Sequence, residues 1–170
     1  RGAAEVFNTY GYAGTDVRRI VAATGYATGT FYRHFPHKGA ALLAAYESWV
    51  IDEWNAYGHA LRVPGSPEQR AQRIVDTSIE QHARWHGLRQ ALVSYMQIND
   101  DAARKYRELQ RHQLDTLRAL RTEISPTSTR PPEAVVLLVM LIERAAEGIA
   151  AGEWNELGLS EASMRQLLIH

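Results

Sequence analysis

The 170-residue chain contains no cysteine. That removes disulfides, thiolate nucleophiles and cysteine-ligated zinc together, and it is compatible with a cytoplasmic protein. Formal net charge is also lacking, so the molecule as a whole is no general binder of polyanions. The longest apolar run, Val135 to Ile142, falls far short of the ~20 residues that span a bilayer, and no signal-peptide pattern is visible. There is no phosphate-binding glycine loop, no Gly-x-Ser-x-Gly elbow, no dinucleotide fingerprint and no pair of acids on a buried face. His82 and His86 stand four apart on one helix, but no carboxylate accompanies them at zincin spacing. No catalytic residue, metal or cofactor is therefore expected. Arg1 abuts a helical pattern and His170 follows Leu167-Leu168-Ile169 without a stop signal, so both ends read as cut.

What is present is concentrated near the start. Between Thr15 and Lys38 the bases Arg18, Arg19, Arg33 and Lys38 face one acid, Asp16, a local excess suited to phosphate contact. Three short helices occupy this region. The first buries Val6, Phe7 and Tyr10, with Gly11 as a left-handed C-cap and Tyr12 folding back on Phe7. The second, capped by Thr15 or Asp16, presents Val17, Ile20, Val21 and Thr24 on one face. Gly25 ends it and Tyr26 returns onto Val21. The third runs from Thr28 to about Phe35 and stops at Pro36. Phe31 and Phe35 point inward, leaving Thr28, Thr30, Arg33 and, more laterally, Tyr32 and His34 outside. A short hydroxyl-rich, arginine-bearing helix after a glycine turn fits entry into a DNA major groove, and on composition alone it fits a plain solvated helix face equally well. Arginine reads guanine O6/N7, and threonine offers a hydrogen bond or a methyl group.

The stretch from Phe7 to Leu43 resembles the DNA-binding domain of the TetR family of transcriptional regulators. The resemblance is carried by Gly11-Tyr12, Thr15, Val17-Arg18, Ile20, Gly25, Gly29-Thr30-Phe31-Tyr32, His34-Phe35-Pro36, Lys38 and Ala41-Leu42. It implies that Thr15, Tyr32, His34 and Lys38 hold phosphates, that Arg18, Thr28, Thr30 and Arg33 lie nearest the bases, and that Gly29 belongs to the same surface. The chain departs from the family pattern at Ala27, where serine is usual, at Thr28, where a base is common, and at Gly39, where glutamate is usual.

The expected fold is all-α, with a helix-turn-helix domain over residues 1–45 and a helical effector-binding and dimerisation domain over 46–170. A long helix from Lys38 to about Leu61 joins them. Ser66, Pro67 and Gln69 form a capping box for the next helix, which Gly87 is expected to break. Polar residues near apolar faces point to a mostly apolar ligand pocket with a few anchors. The candidates are Ser78, His82, Trp85, Tyr95, Met96, Gln113, Met140 and Glu143. From Val135 to Ile142 the helix is apolar all round, so a second copy is expected to cover it. Val135, Leu138, Val139, Ile142, Met164, Leu167 and Leu168 are the interface candidates, and in the TetR family the last two long helices pair in this way. The expected function is a homodimeric repressor that leaves a palindromic operator when a small, largely apolar effector binds. The alternatives are a dimeric DNA binder without small-molecule control and a metal-binding helical enzyme.

Overall fold

The computed structural model describes residues 1–124 and 131–169; the loop read at 125–130 lies outside the described residues. Every regular element among them is a helix: α1 Gly2–Tyr10, α2 Val17–Thr24, α3 Thr28–His34, α4 Lys38–Arg62, α5 Pro67–Met96, α6 Asp100–Ile124, α7 Pro132–Ala151, α8 Glu153–Glu156 and α9 Glu161–Ile169. The all-α expectation holds. The chain gathers into two compact units, one of Arg1–Ile51 with Trp85–Gln110, the other of Asp52–Arg84 with Arg111–His170. The helices α4, α5 and α6 each pass from one unit into the other.

In the first unit, Phe7, Leu42, Leu88 and Leu92 are fully buried, drawn from α1, α4 and α5. The Asp16 side chain caps α2 by accepting the Arg19 amide at 2.8 Å. Gly25 ends α2 in the left-handed conformation. Gly11 is different: its φ of 65° comes with a ψ of −174°, not the left-handed cap expected. Such a conformation is open essentially to glycine alone. The Tyr12 ring that follows it stacks on Tyr95. Tyr26, after Gly25, is exposed.

The capping box of α5 forms as read. Ser66 N–H donates to Gln69 Oε1 (2.9 Å) and Gln69 N–H to Ser66 Oγ (3.2 Å). Gly87 does not break this helix. The irregularity falls two residues earlier, at Trp85 (φ −115°, ψ 18°), and the helix resumes beyond it. Asn8 of α1 supplies the missing cap: its Oδ1 accepts the Leu88 amide at 2.9 Å. Gly87 serves close approach instead, since a Cβ there would sit 1.9 Å from the Asn8 carbonyl oxygen.

In the second unit Val75 and Ile79 of α5 meet Ala146 of α7, with Ile149, Leu168 and Ile169 packed around them. Arg73 ties the α4–α5 connection by donating to the carbonyls of Ala60 (3.1 Å) and Val63 (2.8 Å). Trp154 donates its indole N–H to the Ala145 carbonyl (3.0 Å), and its ring occupies the space beside Gly148.

Candidate DNA-binding surface and effector cavity

The first three helices present a divided surface. Phe31 of α3 points into the core against Phe35, with ring centroids 5.6 Å apart, while Thr28, Gly29, Tyr32, Arg33 and His34 are exposed. Thr30 is half-buried. A Cβ built at Gly29 would meet nothing, so glycine there keeps the outer face of α3 low rather than relieving a clash within the chain. Ala27 offers no side-chain cap, and Thr28 is the first helical residue rather than a cap. Arg18 of α2 is exposed. Beside it Arg19, expected only as part of the local charge excess, lies 4.5 Å over the ring of Tyr10, a stacking that holds the guanidinium in place.

Two expected phosphate contacts sit differently. The Thr15 side chain is buried, and its hydroxyl donates to the Gly11 carbonyl at 2.6 Å. Burial and this bond withdraw it from phosphate contact. The Lys38 ammonium donates to the carbonyls of Tyr12 (2.8 Å) and Thr15 (2.7 Å) and lies 4.3 Å from the Tyr12 ring centroid. Two of its three donors thus close the turn between α1 and α2.

The second unit holds a half-open cavity of about 310 Å³. Its walls are Trp54, Tyr57 and Leu61 of α4, Ala71, Ile74 and Val75 of α5, Leu117 of α6, Leu138, Val139 and Ile142 of α7, and Leu168 of α9. Arg70 and Glu143 bring the charged groups. Behind Tyr57 lies a buried polar cluster. The Tyr57 hydroxyl donates to Glu53 Oε1 at 2.9 Å, and Glu53 is 2% exposed. His82 Nδ1 stands 3.5 Å from that carboxylate oxygen and 2.9 Å from the Ser78 carbonyl. A carbonyl only accepts, so Nδ1 carries the proton. Burial, and secondarily the Glu53 charge, hold the Tyr57 phenol well above its ordinary pKa. The neighbouring Ser78 hydroxyl pulls the other way, although its oxygen meets no partner in good hydrogen-bond geometry.

Of the residues expected to line a pocket, Glu143 does so. Ser78 and His82 are buried in the polar cluster rather than on the cavity wall. Trp85, Tyr95 and Met96 belong to the first unit, where Tyr95 stacks on Tyr12. Gln113 is half-buried and not part of this wall, and Met140 is exposed. The aromatic residues Trp54 and Tyr57, absent from the expected pocket set, are wall residues.

The expected interface residues also divide. Val139, Ile142 and Leu168 face the cavity of their own chain, and Leu138 reaches it while remaining 47% exposed. Met164 is half-buried and Leu167 is 75% exposed. The side chain of Val135 lies outside the described residues. What α7 leaves uncovered is Leu137, Leu138, Met140 and Leu141.

Residues 1–46 match the family profile described as bacterial regulatory proteins, tetR family. The amino-terminal helices are a tetR-family domain. No curated protein sequence matches the chain. Among solved structures it resembles the fatty acid degradation regulator FadR from Bacillus halodurans, with TM-score 0.72 and 19% identity over 99% of this chain and 94% of that one. It also resembles FadR from Bacillus subtilis, crystallised with stearoyl-CoA, with TM-score 0.68 and 17% identity over 99% and 92%. A third is the TetR-family transcriptional regulator PfmR from Thermus thermophilus, with TM-score 0.59 and 18% identity over 99% and 94%. The amino-terminal domain matches the tetR family, and the fold of the chain resembles that of these regulators. Among the described residues no helix is long and apolar enough to cross a membrane.

Proposed function

We propose that the chain is a homodimeric repressor that leaves a palindromic operator when a small, largely apolar effector enters the cavity of the second unit. The observation that carries this reading is the cavity itself. Apolar side chains from α4, α5, α6, α7 and α9 surround it, with Arg70 and Glu143 as charged contacts. Its volume lies at the small end of the usual range for ligand sites. The stearoyl-CoA bound by the Bacillus subtilis regulator supports an effector with an acyl-like tail.

Each subunit offers one α3 to one half-site, and two half-sites about a helical turn apart, ~34 Å, require both copies at once. The exposed Leu137, Leu138, Met140 and Leu141 of α7, with Leu167 of α9, are the surface a second copy covers. Helix α4 begins directly after α3 and contributes Trp54, Tyr57 and Leu61 to the cavity. An effector that fits better when α4 has shifted pulls the recognition helices out of register. It acts only through that difference in affinity; tight binding to both states shifts nothing.

The test couples two measurements. Duplexes are selected from random DNA with purified protein, then challenged with a panel of fatty acids, acyl-CoA thioesters and polar metabolites. Palindromic sites, a melting temperature raised by a few degrees, on the order of 1 kcal/mol of linkage, and release of the duplex by the same compound support the proposal. Palindromic binding indifferent to every apolar compound favours a DNA-binding dimer without small-molecule control.

A further inference from the structure

The glycine at position 39 is the clue. Its missing side chain is replaced by another residue's ring: a Cβ at Gly39 would lie 2.3 Å from both Cζ and Oη of Tyr95. Tyr95 is 5% exposed although it sits near the end of a helix. Its other neighbour is Tyr12, with ring centroids 4.5 Å apart and planes 25° from parallel. The Lys38 ammonium lies 4.3 Å from the centroid of that same Tyr12 ring and binds the carbonyls on either side of the turn before α2. Tyr95, Tyr12 and Lys38 therefore form one linked cluster around the α1–α2 turn and the first residues of α4. A second attachment secures the other end of the same helical segment, where Asn8 caps Leu88 and Gly87 admits the α1 backbone.

We propose that Tyr95 is a positioning residue for DNA binding. Its ring fixes Tyr12, and through Tyr12 and Lys38 it sets the α1–α2 turn and the start of α4 between which α3 is held. Nothing in the cluster reaches from α3 itself, so Tyr95 acts on the recognition helix through the elements that flank it. The stretch of α5 beyond Trp85 is thus a working part of the DNA-binding module, even though the tetR-family match ends at residue 46.

The experiment compares Tyr95→Ala, Tyr95→Phe, Gly39→Ala and the double variant Gly39→Ala/Tyr95→Ala, using the duplex selected by the wild-type protein. Removing the ring should weaken duplex binding by about two- to tenfold, the range of an aromatic contact. The salt dependence should stay the same, because no phosphate contact is lost. Tyr95→Phe keeps the ring and keeps affinity. Gly39→Ala forces the ring aside and weakens binding, whereas in the double variant the added methyl costs nothing beyond Tyr95→Ala alone. Should Tyr95→Ala fail to fold, Gly39→Ala against Tyr95→Phe decides. Amide hydrogen exchange over residues 11–15 reads the cluster without DNA and rises in Tyr95→Ala but not in Tyr95→Phe, so a failure of the DNA-binding reading is distinguishable from a failure of this one. Wild-type affinity and exchange in folded Tyr95→Ala, or equal losses in Tyr95→Phe and Tyr95→Ala, overturn the proposal.

Discussion

Asn8 and Leu88 are eighty residues apart in the chain, and the side-chain oxygen of one caps the backbone amide of the other at 2.9 Å. The Trp85 irregularity frees amides at the start of the second half of α5, and α1 supplies the acceptor that the local sequence lacks. Asn8→Ala should therefore cost about 1 kcal/mol, as for the loss of an N-cap. Calorimetry should show a melting temperature lower by roughly 2–4 °C. Gly87→Ala should cost more, on the order of 1–3 kcal/mol, because its methyl meets a carbonyl oxygen on backbone, which has little room to give. Equal melting curves for wild type and Gly87→Ala would show that the approach of α1 is not tight.

Arg33 is exposed on α3, a helix without an acidic residue of its own. Arg33→Ala should weaken binding to the selected duplex by roughly 1–3 kcal/mol and flatten preference at one base pair of each half-site. Repeating the selection with the variant measures both effects. A variant that recovers the same motif at lower affinity would place Arg33 on a phosphate instead.

These two cases mark what sequence could and could not reveal. The short helices, the inward Phe31 and the capping box at Ser66 were legible because each rests on residues a few positions apart. Gly25 was legible for the same reason. Gly11 was read correctly as a terminator and wrongly as a left-handed cap, because a glycine in sequence does not tell which of its positive-φ conformations it takes. The helix break assigned to Gly87 failed in the same way: a glycine that admits α1 looks identical, in sequence, to one that ends a helix. The cavity was foreseen as apolar with few polar anchors. Its walls were misassigned, since spacing along α4 does not tell whether Trp54 and Tyr57 face solid core or a void.

The outer face of α7 makes its own prediction. Met140→Asp and Leu141→Asp place charge on side chains that are each 58% exposed, so neither disturbs the packing of its own chain. If a second copy covers them, each buries an unpaired carboxylate in the interface and the dimer dissociates. Sedimentation should show monomers with melting curves little changed from those of an isolated subunit, and operator affinity should drop because two half-sites need two linked α3 helices. Ile142→Asp, buried in its own chain, should unfold the subunit instead. Dimeric Met140→Asp and Leu141→Asp proteins would move the interface elsewhere.

Tyr57 joins the cavity of the second unit to the buried Glu53, and its phenol pKa is raised first by burial and then by that carboxylate. In the unfolded chain the phenol returns to about 10. Below that pH both states keep the proton and the contribution to stability is complete. Above it the unfolded chain gives up the proton while the folded one retains it, so stability falls as pH rises toward the native value. Urea unfolding at about pH 8 and again above pH 10 should therefore show a steeper loss in wild type than in Tyr57→Phe. The raised phenols of Tyr12 and Tyr95 are common to both proteins and cancel in the comparison. An effector that packs on Tyr57 and excludes water from it should leave the onset of the loss in place but extend it to higher pH and deepen it, whereas one bound elsewhere should leave the difference between the two proteins unaltered. Identical pH profiles for wild type and Tyr57→Phe would mean that water already reaches the Glu53 cluster through the cavity.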